Sequence, residues 1–99
     1  MARTPEGAFQ DRVVRDLKSI GAIVVKNTSL LGFPDVTAFL PDSRVLVLEL
    51  KRREPTLTDF QPNQTYYVDK LNEYGHRAAV IWPKAWPEYF EAVKAHAIP

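Results

Sequence analysis

Eight residues from Arg44 to Lys51, Arg-Val-Leu-Val-Leu-Glu-Leu-Lys, constrain the fold more than any other stretch. Apolar residues occupy successive positions, so an extended strand would show hydrophobic side chains on both faces. That pattern belongs to a central strand covered from two sides, as in a sheet with helices on both faces. A second apolar run, Val36 to Leu40, precedes it, and Pro41-Asp42-Ser43 lies between them. Proline followed by aspartate and serine is turn chemistry, so the two runs read as an antiparallel hairpin.

The flanking segments supply the covering helices. Thr4-Pro5 reads as a helix start, with Phe9, Val13, Leu17 and Ile20 as the buried stripe and Gly21 as the stop. Ala22 to Lys26 is short and β-branched, a strand, and Asn27 to Phe33 is a loop. A second helix is expected from Gln61-Pro62 to Gly75, with Tyr67, Val68, Leu71 and Tyr74 inward, then a strand from His76 to Trp82. Pro83 and Pro87 bracket the start of a last helix carrying Phe90 and Val93. The order α-β-β-β-α-β-α predicts an α/β fold with a central mixed sheet flanked by helices.

At 99 residues the chain has room for one domain, 1–99. A domain this small buries a modest fraction of its surface, so a partner subunit is a natural way to cover apolar area. Thirteen basic residues against twelve acidic ones exclude a pervasive positive field, and any nucleic-acid face must be local. The absence of cysteine excludes thiolate metal sites and disulfides. No apolar run is long enough to cross a bilayer and no basic leader precedes one, so the expectation is a soluble, cytoplasmic protein without membrane contact.

Strand alternation puts Glu49 and Lys51 on one face and Leu46, Leu48 and Leu50 on the other. With a three-residue hairpin loop, Leu40 lies opposite Arg44, and counting outward sets Asp35 opposite Glu49. Two carboxylates so opposed are unfavourable unless something positive lies between them, so removing either should relieve repulsion. A divalent cation fits: Mg²⁺ takes hard oxygen ligands, commonly one or two protein carboxylates plus waters and phosphate oxygens. Lys51 beside it would position a water and offset charge developing on phosphorus. The competing structural reading is a solvated ion pair at a strand end.

Gly32-Phe33-Pro34-Asp35, Glu49-Leu50-Lys51 and Gln64 together resemble the G-x-P-D, E-x-K and Q signature of VRR-NUC (virus-type replication-repair nuclease) domains in the PD-(D/E)XK superfamily. Glu6 ahead of the first helix, and Tyr67, Leu71 and Gly75 after Gln64, keep the family's spacing, so the resemblance covers nearly the whole chain. It implies a restriction-endonuclease-like core and a Mg²⁺ or Mn²⁺ ion held by Asp35, Glu49 and the Leu50 backbone carbonyl, with Glu6 reaching it directly or through water. Glu6, Asp35, Glu49, Lys51 and Gln64 would then form the catalytic set. Glu6 alternatively favours a helix dipole, and Gln64 alternatively caps a first turn.

Lys51-Arg52-Arg53 puts three cations at the metal end of the central strand, and Lys26 with the loop residues Asn27, Thr28 and Ser29 is expected at the same edge. Lys26, Ser29, Arg52 and Arg53 are therefore the candidate DNA contacts; the alternative pairs the arginines with Glu54 and Asp59. Arg12, Arg15 and Lys18, interleaved with Asp11 and Asp16, read as an ordinary salt-bridged helix face. His76 and His96 lack metal-ligand spacing. Trp82, Trp86, Tyr89 and Phe90 read as core, or in part as a dimer interface.

The resemblance implies a DNA endonuclease of phage or bacterial kind, homodimeric, acting in repair on branched DNA such as Holliday junctions. A non-catalytic DNA-binding module on the same fold, or a protein-interaction domain with an acidic pocket, are the rival expectations.

Overall fold

The hairpin forms where the apolar runs place it. In the structure, a computed structural model describing residues 5–56 and 65–96, β2 (Val36–Phe39) pairs antiparallel with β3 (Val45–Leu50), with Val36 opposite Leu48 and Phe39 opposite Val45. The Leu40 N–H donates to the Arg44 carbonyl at 2.8 Å and the Ser43 N–H to the Leu40 carbonyl at 3.1 Å. Proline alone does not make this turn: Ser43 adopts a left-handed φ of 72°, as expected of the last residue in a three-residue hairpin loop.

β1 (Ile23–Lys26) joins β2 antiparallel and β4 (Arg77–Ile81) joins β3 parallel, giving one four-stranded mixed sheet in the order β1-β2-β3-β4. The helices are α1 (Pro5–Ser19), α2 (Tyr66–Glu73) and α3 (Trp86–Lys94), so the chain order is α-β-β-β-α-β-α. Strand alternation sends Val36, Ala38, Leu46 and Leu48 to one face, where they form the main core with Phe9, Val13 and Leu17 of α1 and Trp86 and Val93 of α3. Val47 points to the other face, and α2, whose buried residue is Val68, packs on β3 and β4. Among the described residues, α2 thus covers the second face over β3 and β4 only. On β1 and β2, Ile23, Val25 and Phe39 stay exposed.

Several details differ from the sequence pattern. Tyr74 is 68% exposed, because α2 ends at Glu73 and Gly75, at a φ of 94°, turns the chain away. The expected start of that helix at Gln61-Pro62, and the Thr4 cap of α1, lie outside the described residues. Asp16 is not simply an outer-face charge: its carboxylate accepts the Trp86 indole N–H at 2.8 Å while keeping a 3.4 Å contact with Arg15. That bond lets a tryptophan sit in the core with its polar atom satisfied. Phe90 and Tyr89 stack on Trp86 at 5.2 and 5.9 Å, so this aromatic group is core; burial pushes the Tyr89 hydroxyl up to about 12.

Candidate active site

One end of the sheet collects the C-terminal ends of β1 and β3 and the start of β2. The β2–β3 ladder stops at Val36 and Leu48; continued one step, it places Asp35 opposite Glu49. The Leu40–Arg44 bond fixes which pairs exchange hydrogen bonds, and by that parity Asp35 and Glu49 are a non-hydrogen-bonded pair, the closer of the two kinds, with Cα atoms about 4.5 Å apart. Both residues are half-buried, as is Lys51 two positions beyond Glu49 on the same face. The Lys51 N–H donates to the Ile81 carbonyl at 2.8 Å, so the backbone beneath the lysine remains tied to β4 past the end of β3.

Asp35 is held twice. Its carbonyl accepts the Asn27 N–H at 2.9 Å, and its carboxylate Oδ2 accepts the Leu50 N–H at 2.7 Å. The second bond is absent from the sequence argument, which gave Asp35 only a repulsive role toward Glu49. Pro34, fully buried, stands opposite Leu50 in the continued register. It has no N–H to offer the Leu50 carbonyl, and the Asp35 side chain takes the Leu50 N–H instead. One carboxylate oxygen of Asp35 is engaged by the backbone; carboxylate and carbonyl oxygens such as those of Asp35, Glu49 and Leu50 are the donor type a hard divalent cation takes.

The loop into Asp35 is ordered by one residue. Asn27 Oδ1 accepts the N–H groups of Leu30 at 3.0 Å and Ser29 at 3.3 Å, and its Nδ2 donates to the carbonyls of Leu30 at 2.7 Å and Phe33 at 3.1 Å. Leu30 to Phe33 closes with a 3.2 Å bond, with Gly32 at a φ of 83°, the third position of a type II turn. Phe33 meets Tyr67 of α2 edge-on at 5.2 Å. Asn27 is therefore a loop clamp rather than a phosphate contact; an asparagine opening a loop was the available signal.

Of the other candidates, Ser29, Arg52 and Arg53 are exposed at this end, and Arg53 makes a long 3.5 Å contact with the Glu54 carbonyl. Lys26 reaches the same end, but pairs with Val36 and so projects from the face opposite Asp35 and Glu49. Glu6 lies in the first turn of α1; its side chain, Gln64 and Asp59 fall outside the described residues. Among the described residues no three His, Asp or Glu side chains converge as a metal cluster. The candidate residues the described structure brings to this end are Asp35, Glu49, Leu50 and Lys51.

At the opposite end a second polar group serves structure. Arg44 donates to the Val93 carbonyl at 2.8 Å and to Asp42 at 2.8 Å, and His96 Nδ1 lies 2.9 Å from Asp42. Hydrogen bonding from Arg44 holds the Asp42 carboxyl at about 2, below its ordinary value of 3.8. This fastens the hairpin turn to the end of α3, and gives His96 a structural partner.

No family model and no curated protein matches the chain. A solved structure described as a VRR_NUC domain superposes with a TM-score of 0.74, over 93% of this chain and 97% of that one, at 20% identity. No described helix is long and apolar enough to cross a membrane. With three helices around a four-stranded mixed sheet among the described residues, the chain has the α/β fold of a VRR_NUC domain.

Proposed function

We propose that this protein is a divalent-metal-dependent endonuclease of the VRR-NUC kind that hydrolyses DNA phosphodiesters. The observation that carries the reading is the Asp35–Glu49 cross-strand pair with Lys51 on the same face, beside a backbone carbonyl that faces a proline. Asp35, Glu49 and the Leu50 carbonyl would hold Mg²⁺ or Mn²⁺, with Glu6 as a further ligand directly or through water, and Gln64 in the same catalytic set. A bound ion would supply Lewis acidity, making water a stronger nucleophile near neutral pH.

The chain's own residues do the rest. Asp35 is oriented by the Leu50 N–H, so its second oxygen has a fixed direction. Lys51 orients the attacking water and offsets negative charge on phosphorus as one P–O bond forms and the opposite one breaks. Arg52, Arg53 and Ser29 bind the phosphate backbone, with Lys26 gripping from the sheet's other face. The substrate is branched DNA, such as a Holliday junction, cut by a homodimer whose two equivalent sites match two equivalent strands. The setting is DNA repair or phage DNA processing in a bacterial cytoplasm.

The test is cleavage of linear, flap, forked and four-way DNA, and of matched RNA, in Mg²⁺, Mn²⁺ or EDTA. Metal-dependent cutting of branched DNA, lost in folded Asp35→Asn protein, is expected. Tight DNA binding with no cutting under any metal would overturn the enzyme and leave a binding module.

A further inference from the structure

The two edges of the sheet are treated differently. In β4 the residues whose backbone groups face outward are Ala78 and Val80, because Ile81 bonds inward to Lys51. Asn72 of α2 occupies the Ala78 position: its Nδ2 donates to the Ala78 carbonyl and its Oδ1 accepts the Ala78 N–H, both at 2.9 Å. A side-chain amide thus takes the place of a neighbouring strand, and the single outward residue left, Val80, is too short a template for pairing.

β1 has no such guard. Asn27 donates to Asp35 across the ladder, so Ile23 and Val25 also bond inward and the backbone groups of Val24 and Lys26 face outward. Neither outward pair has a backbone or side-chain partner among the described residues. The strand contains no proline and no bulge, and beside it Ile23, Val25 and Phe39 are 69%, 51% and 46% exposed on the half of the sheet that α2 does not cover. A bare edge flanked by an apolar strip is a template for another strand.

We infer that β1 is the dimer interface, two copies pairing antiparallel about Val25 to merge two four-stranded sheets into one continuous sheet. The register follows from the free groups. Centred on Val25, Val24 of each copy exchanges both hydrogen bonds with Lys26 of the other, four in all, and the lysines never oppose each other. Centred on Val24, Lys26 would meet Ala22, whose N–H is already donated to the Leu17 carbonyl. Centred on Lys26, two ammonium groups would face directly, which is unfavourable. A second copy is therefore the occupant whose donors, acceptors and charges match this edge in one register.

Ile23, Val25 and Phe39 offer roughly 300 Å² of apolar surface per copy, enough to mark a contact but below the roughly 800 Å² per partner of a standard interface. The dimer is thus a reversible one. An axis through Val25 normal to the sheet leaves both Asp35–Glu49 pairs on the same side. Strand spacing and rise put them on the order of 24 Å apart. The inference rests on the homodimer proposed above and not on the nuclease chemistry.

The chain has no cysteine, so single cysteines report the register without background. Val25 would face its own counterpart as a non-hydrogen-bonded pair, at a Cα separation that suits a disulfide. Mild oxidation of Val25→Cys should give a disulfide dimer in high yield, while Ile23→Cys, offset by four positions from its counterpart, should give at least ~10-fold less. Val25→Lys, at an exposed site, should weaken wild-type self-association in sedimentation by at least ~10-fold with an unchanged circular dichroism spectrum. Equal crosslinking of both cysteine variants, a Val25→Lys protein that still dimerises, or a wild type that stays monomeric at hundreds of micromolar would overturn the interface. Cleavage measured on the same preparations separates the readings: a dimer that never cuts keeps the edge and removes the nuclease.

Discussion

Asp35 carries two effects of opposite sign, and two substitutions separate them. Its charge faces Glu49 across the ladder, a repulsion of about 1–3 kcal/mol near 5 Å as the effective dielectric runs from that of water to that of a protein surface. Its Oδ2 accepts the Leu50 N–H at 2.7 Å, and leaving that donor without a partner costs about 1–3 kcal/mol. Asp35→Ala removes both, so the two effects largely offset, and in EDTA it should lie roughly 1 kcal/mol below Asp35→Asn. Asp35→Asn relieves the repulsion and keeps an acceptor, with a bond about half as strong, so its stability should stay near wild type. For a domain of this size the difference between the two variants corresponds to roughly 4–8 °C in thermal midpoint. Mg²⁺ should then raise the wild-type midpoint and neither variant's, since a ligand stabilises only a protein that binds it. Both variants should lose cleavage. Equal midpoints for Ala and Asn would refute the role given to the Leu50 bond, and Mg²⁺-dependent cutting by Asp35→Asn near the wild-type rate would refute the metal site.

Lys51→Met should keep DNA and metal binding while lowering the single-turnover rate at saturation by about 10²-fold to 10³-fold; a lower thermal midpoint with intact turnover would make Lys51 a structural ion-pair residue. Neutralising Arg52 and Arg53 should weaken DNA binding and reduce the log-log salt slope by roughly 0.7 to 0.9 per lost phosphate contact, and an unchanged slope would mean they face away from DNA. Asp42, held at about 2 by Arg44, has a folded value below its ordinary 3.8, so its contribution to stability is present above about pH 4 and disappears as pH falls toward 2. Asp42→Asn should flatten the fall in thermal midpoint across that window, and an unchanged slope would count against the Arg44 clasp.

The fold was legible because its signals are local and redundant. The doubly apolar run at Val45–Leu50 fixes an interior strand, and β4 joining β3 in parallel then requires a crossover, which α2 supplies. Face assignment followed from alternation at Val36, Ala38, Leu46 and Leu48. What sequence could not show was how far each helix reaches. Whether Tyr74 packs depends on where α2 stops, and Tyr74 reads as inward by periodicity while lying past the last helical turn. Coverage by a helix of eight residues is likewise a property of the assembled sheet, so the open half-face at Ile23, Val25 and Phe39 has no one-dimensional signal.

The candidate site divides along the same line. That Asp35 faces Glu49 follows from a loop length, because in a hairpin the pair sums are constant and three loop residues determine all of them. That Asp35 also receives the Leu50 N–H does not follow, since it depends on a side-chain rotamer at the point where the backbone ladder fails. Pro34 accounts for where the ladder stops. It withholds an N–H at the position opposite Leu50, which leaves the Leu50 carbonyl without a backbone donor from β2, while the Leu50 N–H goes to the Asp35 side chain. Any residue with an N–H at position 34 could extend the ladder by one rung and engage that carbonyl. The proline beside the aspartate is therefore more than a turn residue: it withholds the N–H of the last rung, next to an aspartate whose carboxylate the Leu50 N–H holds in place.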